Sequence, residues 1–255
     1  MGVHGGAERE FMEKEPRIAL LIDCDNVSHQ AIDGVLNELA NYGVVNIRRA
    51  YGNWKNSELK GWEETLHPFA IQPIQQFAYT KGKNATDAAM IIDAMDLLYS
   101  QELDGIGLMT SDSDFTPLVM RLKTSGLKVY GFGATKTPES LVNACSRFIN
   151  TDKLIAEKNA VEDESGDTGT LRKKPRKELR QDAALVKMLR NAVDEKADEN
   201  DGWANFSQVI NYINNNTSFS CINYGYKRLS DLIREIGLFD IEMRNNNSAM
   251  YLKQK

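Results

Sequence analysis

Residues 17–155 alternate short apolar runs with amphipathic segments, and this alternation constrains the fold more than any other feature of the chain. The first run, Arg17-Ile-Ala-Leu-Leu-Ile-Asp23, is continuously apolar, as a central parallel strand covered on both faces must be. Ser28–Asn41 follows, with Ile32, Val35, Leu36 and Leu39 at the i, i+3, i+4, i+7 positions of a helix that Gly43 stops. The same reading predicts further strands over 44–51, 71–79, 105–110, 127–132 and 148–151. It predicts helices over 57–66, 86–99 and 116–124, and one that Thr137 caps and Pro138 begins. Such βαβα order predicts an α/β fold, a mostly parallel sheet with helices on both faces.

Beyond that region the pattern changes. Residues 157–171 are rich in Glu, Asp, Ser and Gly and read as a self-repelling linker. Leu171–Arg180 then holds six basic residues (Arg172, Lys173, Lys174, Arg176, Lys177, Arg180) against Glu178. Residues 178–255 carry helical stripes at Leu185, Met188, Leu189, Ala192 and Val193, at Val209, Ile210 and Ile213, and at Leu229, Leu232, Ile233 and Ile236. Phe239, Ile241 and Met243 alternate, Asn245-Asn246-Asn247-Ser248 turns, and Ala249 and Tyr251 alternate again, a hairpin pattern. Three helices and a hairpin make a winged helix. The expected organisation is a tail over 1–16, an α/β domain over 17–156, an acidic-then-basic linker over 157–177 and a small α+β winged-helix domain over 178–255.

The net charge of −5 speaks against a nucleic-acid partner only as a whole-chain sum. Residues 17–155 hold 13 Lys/Arg against 16 Asp/Glu, whereas residues 205–255 hold six against four. The acidity thus sits in the first unit and the basicity follows it. No apolar run approaches the roughly 18–20 residues of a membrane span, so no membrane partner is expected. The first 17 residues lack the apolar stretch of a signal peptide, and the three Cys form no C-x-x-C pair. A cytoplasmic protein with reduced thiols is expected, and the sequence leaves a homo-oligomer open.

Three of the predicted strands run into acid. The first ends in Asp23-Cys24-Asp25-Asn26, the third leads into Lys81-Gly-Lys83-Asn-Ala-Thr86-Asp87, and the fourth ends in Thr110-Ser111-Asp112-Ser113-Asp114. In a doubly wound sheet these loops share the rim where ligands bind. Two carboxylates about 4 Å apart repel by roughly 4 kcal/mol at an effective dielectric near 20. A raised pKa or a bound cation relieves that, and an all-oxygen set suits Mg²⁺ or Mn²⁺. Taken singly, such residues are ordinary helix caps, a role open to Asp25, Ser113 and Thr86. Asp93 lies about 240° around the helix from Asp87 and is read as either a support to the site's residues or a structural residue. Lys83 either contacts phosphate or neutralises the rim, and Asn26 either orients a water or holds its loop. Cys24 has no His partner and reads as a small buried filler.

Ile18–Asp23 with Asp25-Asn26, Lys83-Asn-Ala-Thr-Asp87 and Thr110-Ser-Asp-Ser-Asp-Phe115 resemble the acidic motifs of the NYN domain, in its LabA-like branch of the PIN-like nuclease superfamily. Ser111 stands where the family's Ser-Gly-Asp-x-Asp pattern has glycine. Trp203-Ala-Asn-Phe206, Tyr224-Gly-Tyr-Lys-Arg-Leu229 and the terminal hairpin resemble an OST-HTH (LOTUS) winged helix. The resemblance implies a PIN-like Rossmannoid sheet and a Mg²⁺- or Mn²⁺-dependent endoribonuclease that leaves a 5′-phosphate and a 3′-hydroxyl. Asp23, Asp87, Asp112 and Asp114 would be both its catalytic residues and its metal ligands. Asn26, Lys83, Thr110, Ser111 and Ser113 are the expected substrate contacts. Lys173 and Lys174 in the basic run, and Lys227, Arg228 and Arg234 on the third helix of the second unit, are the expected RNA contacts. Two other readings stand beside this one. The first is a non-catalytic RNA-binding adaptor that works through its winged helix. The second is a phosphatase with Asp23 as nucleophile and Asp25 as acid, disfavoured because Asn26-Val27 follow and no cap-sized insertion appears.

Overall fold

The computed structural model describes residues 14–76, 85–162 and 173–255. The first unit contains β1 (Arg17–Asp23), α1 (Ile32–Leu39), β2 (Val44–Gly52), α2 (Lys60–Leu66), β3 (Gln72–Gln75) and α3 (Ala85–Ser100). It continues through β4 (Gly105–Met109), α4 (Thr116–Thr124), β5 (Lys128–Gly133), α5 (Glu139–Ala144), β6 (Arg147–Asn150) and α6 (Thr151–Glu162). The six strands form one sheet in the order β3-β2-β1-β4-β5-β6, and every neighbouring pair is parallel. This is the PIN-like α/β arrangement expected.

The apolar run of β1 explains its central place. Leu20 and Ile22 point into one core with Ile32, Val35 and Leu39 of α1 and Leu154 of α6. Ala19 and Leu21 point into the other, with Met90, Ala94 and Leu97 of α3 and Leu118, Val119 and Leu122 of α4. Strand order reverses between β1 and β4, so the crevice beyond their carboxyl ends is the expected ligand position.

The strand expected over 71–79 spans only Gln72–Gln75, at the sheet edge, where Pro73 is tolerated. Residues 77–84, and with them the expected phosphate contact Lys83, lie outside the described residues. Residues 157–162 extend α6 instead of opening a linker. Thr137 does not cap α5. Its hydroxyl donates to the Ala134 carbonyl, and Pro138 holds the N-cap position.

The second unit is α7 (Arg176–Gln181), α8 (Ala183–Asp194), β7 (Ala204–Asn205), α9 (Phe206–Asn216), α10 (Leu229–Ile236), β8 (Phe239–Arg244) and β9 (Ala249–Gln254). Its strands form an antiparallel sheet in the order β7-β9-β8. Leu185, Leu189, Val209, Ile213, Leu232, Ile233, Ile236 and Leu252 fill its core. The helix expected to carry Lys227 and Arg228 starts only at Leu229, because Gly225 is left-handed (φ 84°) and Arg228 is extended. Lys227 and Arg228 therefore lie ahead of α10, exposed, while Arg234 is exposed on it. Gly237 (φ 64°) closes α10 in the left-handed conformation that suits glycine.

The two units touch along β6. The Phe148 N–H donates to the Ser218 carbonyl at 3.0 Å. Asn223 Nδ2 donates to the Phe148 carbonyl at 2.9 Å, and its Oδ1 accepts from the Asn150 N–H at 2.9 Å. The Arg147 guanidinium donates to Tyr42 Oη at 2.8 Å and to Asn214 Oδ1. The outer edge of the sheet is thereby hydrogen-bonded by the second unit.

Candidate functional site

Three segments deliver carboxylates to the rim at the switch point. Asp23 ends β1, Asp87 sits in the first turn of α3, and Asp112 and Asp114 follow β4. Asp23 is fully buried. Its Oδ2 accepts from Asn26 Nδ2 at 2.7 Å and from Thr110 Oγ1 at 2.8 Å, while its Oδ1 is buried without a hydrogen-bond partner. An orphaned buried carboxylate oxygen is costly and calls for a physical reason.

Burial raises the Asp23 carboxyl to about 6, against lowering by the Thr110 and Asn26 hydrogen bonds and with added repulsion from Asp87 and Asp25. Asp87 is also raised, by burial first and then by Asp112, Asp114 and Asp25. Residues distant along the chain thus share one electrostatic field, as the strand ends predict. Asp25 joins them, with its Oδ2 accepting from Thr86 Oγ1 at 3.1 Å across the gap between the β1 loop and the start of α3. Asp25 was read from sequence only as a cap or a phosphatase acid, although its Asp-x-Asp spacing from Asp23 was the signal.

The loop after β4 is held by its own side chains. Asp112 Oδ1 caps the short 3₁₀ turn Ser113–Phe115 by accepting from the Asp114 N–H at 2.9 Å, so Asp112 rather than Ser113 is the cap. The Asp112 N–H donates to Thr110 Oγ1 at 3.1 Å, and the Ser111 hydroxyl accepts from the Ala134 N–H at 2.9 Å. Thr110 is 1% exposed, and its hydroxyl hydrogen is given to Asp23. It therefore positions that carboxylate, a correction to its expected place among the phosphate contacts. Ser111 still has its hydroxyl hydrogen to give, and Ser113 is half-buried beside it. Cys24 is buried and its thiol is pushed up by that burial, which fits a core filler. Asp93 bonds Arg49 Nη1 and Tyr51 Oη on β2, the structural one of its two expected roles.

Chemically the rim fits a hard cation, since every donor is oxygen and one is buried and unsatisfied. Among the described residues, no group of three or more His, Cys, Asp and Glu side chains is placed to hold a metal ion. The fit is therefore to an ion gripped by one or two carboxylates, with water and substrate phosphate completing the shell, as is usual for Mg²⁺.

In the second unit, Lys173 lies 5.7 Å from the Tyr226 ring and Lys174 4.7 Å from that of Tyr224. Arg176 and Arg180 are engaged otherwise. Their guanidiniums donate to the carbonyls of Glu235, Ile236 and Gly237 at the end of α10, so this part of the basic run caps a helix. Among the described residues, no helix is long and apolar enough to cross a membrane.

Comparison with known proteins adds to this geometry. The NYN domain matches residues 17–154 and the OST-HTH/LOTUS domain matches residues 180–251. The uncharacterised protein MJ0482 of Methanocaldococcus jannaschii is 32% identical over 124 residues, 47% of this chain. This chain spans 48% of that relative's length. A crystal structure of a protein of unknown function, VPA0982 from Vibrio parahaemolyticus, is similar at 18% identity with a TM-score of 0.47, covering 56% of this chain and 96% of that one.

Proposed function

Because the chain belongs to the NYN domain family and carries an OST-HTH/LOTUS domain behind it, we propose that it is a divalent-metal-dependent endoribonuclease. The observation that carries this reading is the buried, unpartnered Oδ1 of Asp23 in a group of carboxylates where burial first, and neighbouring acids after it, raise Asp23 and Asp87. Asp23, Asp87, Asp112 and Asp114 would hold Mg²⁺ or Mn²⁺, directly or through water. Bound there, the ion supplies Lewis acidity and a more acidic water.

The protein's own groups do the rest. Thr110 and Asn26 fix the Asp23 carboxylate through Oδ2 and leave Oδ1 uncommitted. The Asp112 cap and the Ser111–Ala134 bond hold the β4 loop in register with β5. Ser111 and Ser113 offer hydroxyl hydrogens to the non-bridging oxygens of a phosphodiester, and Asn26 offers its second amide hydrogen. Water attacks phosphorus in line with the 3′ oxygen, the P–O3′ bond breaks, and a proton passes to the departing oxygen. The products are a 5′-phosphate and a 3′-hydroxyl.

The acidic rim repels RNA until a cation is present, so affinity must come from elsewhere. Lys173, Lys174, Lys227, Arg228 and Arg234 are the proposed RNA contacts in and beside the second unit. The domain limits 17–156 and 178–255, and a reducing cytoplasm as the compartment, belong to the same proposal.

The test is cleavage of labelled RNA with Mg²⁺, Mn²⁺ or EDTA, using wild type and Asp112→Asn. Asparagine caps as well as aspartate, so the fold is expected to survive while turnover falls at least about 10²-fold, the scale of a lost catalytic group. Wild type inert with every metal and RNA, yet binding RNA equally well in EDTA, would instead establish the non-catalytic adaptor.

A further inference from the structure

At the carboxyl end of the sheet, which also carries the acidic rim, the junction of the two units opens into a cleft of about 460 Å³. That volume lies within the range of ligand sites. Asn150 and Lys153 line it from the corner between β6 and α6, and Thr135 lines it from the loop after β5. Lys174, Phe219 and Tyr224 line it from the second unit.

Lys153 and Lys174 bring two cations to this cleft, and among the described residues no carboxylate lines it. The neighbouring Asp152 uses its Oδ2 to accept from the Thr135 N–H and hydroxyl. The rings of Phe219 and Tyr224 lie 5.6 Å apart, and Lys174 Nζ sits 4.7 Å from the Tyr224 centroid. Ser220 also lines the cleft. It is 2% exposed, and its hydroxyl has no hydrogen-bond partner. Cation beside aromatic, with an unsatisfied hydroxyl behind, is the chemistry that holds a phosphate next to a base.

The cleft is also tied to the acidic rim through one loop. The loop after β5 bonds Ser111 through the Ala134 N–H and reaches the cleft one residue later at Thr135. From β1 to β6 is three strand spacings, about 15 Å, which a few nucleotides of extended RNA cover.

We propose that this cleft is a subsite for one nucleotide of single-stranded RNA, its phosphate on Lys153 and Lys174 and its base against Phe219 and Tyr224. The subsite rests on the nuclease reading for its link to the acidic rim, while its affinity for RNA is independent of turnover. One phosphate neutralised by the two lysines contributes about 0.7 to the log–log salt slope, which at 0.15 M salt amounts to about fourfold in affinity.

The experiment measures binding of a fluorescein-labelled 12-nucleotide oligouridylate in EDTA from 0.05 to 0.5 M salt. It compares wild type, Lys153→Gln/Lys174→Gln and the corresponding double arginine variant. The glutamine pair is expected to bind about fourfold more weakly with a slope reduced by about 0.7, and the arginine pair to restore both. Oligouridylate carrying 4-thiouridine is expected to photocrosslink within residues 219–224. Unchanged affinity and slope in the glutamine pair, or crosslinks confined to the terminal hairpin, overturn the subsite even if the enzyme cleaves RNA. The expected binding pattern in a protein that never cleaves supports the subsite and refutes the nuclease reading.

Discussion

Replacing Asp23 by asparagine should change how stability depends on pH, by an amount that follows from burial. The Asp23 carboxyl sits at about 6 in the folded protein against 3.8 for the free group. About two units at 1.36 kcal/mol each give roughly 3 kcal/mol. Because the folded-state value is raised, the native protein binds more protons than the unfolded chain between about pH 4 and 6, and stability falls as pH rises through that window. Asparagine keeps the shape and has no such dependence. Its amide hydrogens would occupy the place of the orphaned Oδ1 and leave a pH-independent offset of about 1–3 kcal/mol. The difference in unfolding free energy between variant and wild type should therefore move by about 3 kcal/mol in the variant's favour from pH 4 to pH 7. Urea denaturation in EDTA, followed through Trp54 and Trp62 of the first unit, measures it. A difference that stays constant within about 1 kcal/mol across that range refutes the burial argument. Added Mn²⁺ should recover the loss in wild type alone, growing with ligand concentration as mass action requires.

Other perturbations follow from close contacts. A Cβ at Gly133 would meet the Thr110 carbonyl oxygen at 2.7 Å and Thr137 Oγ1 at 2.6 Å. Gly133→Ala should cost about 1–3 kcal/mol and, by shifting Thr110, reduce RNA cleavage at temperatures where thermal melting shows the protein still folded. Gly237→Ala forces a side chain into the left-handed region at φ 64°. It should destabilise the second unit by about 1–2 kcal/mol, read by denaturation through Trp203. Arg147→Ala combined with Asn223→Ala removes three of the side-chain bonds that seat the second unit on β6. Small-angle scattering should then give a larger radius of gyration, and a curve identical to wild type counts against a side-chain-held junction.

The sheet was legible because Arg17–Asp23 admits one reading, an apolar run too short for a helix that spans its core and buried on both faces. The acidic rim was legible because three strand ends carry Asp at different places in the chain. Thr110 was misread because its neighbours Ser111 and Ser113 suggested a hydroxyl-rich phosphate loop. Nothing local says that its hydroxyl turns inward to Asp23. Nothing in the sequence sets Arg176 and Arg180 apart from the expected RNA contacts Lys173 and Lys174 of the same basic run. A basic run and a helix cap use the same residues, and only the carbonyls of α10 distinguish them. Lys227 and Arg228 directly precede the apolar stripe that begins at Leu229 and so read as its first turn, whereas left-handed Gly225 and extended Arg228 keep the backbone out of the helix until Leu229. The junction itself left no sequence signal, since Asn223 and Ser218 are ordinary loop residues until β6 is brought against them.

That junction has a consequence for anyone cutting the chain. A fragment ending before the second unit would leave the Phe148 N–H and carbonyl and the Asn150 N–H without their partners. A naked parallel strand of this kind is a template for another molecule's strand. The truncated piece should self-associate in a concentration-dependent way, and its loss from solution would report an unsealed sheet margin rather than a misfolded core.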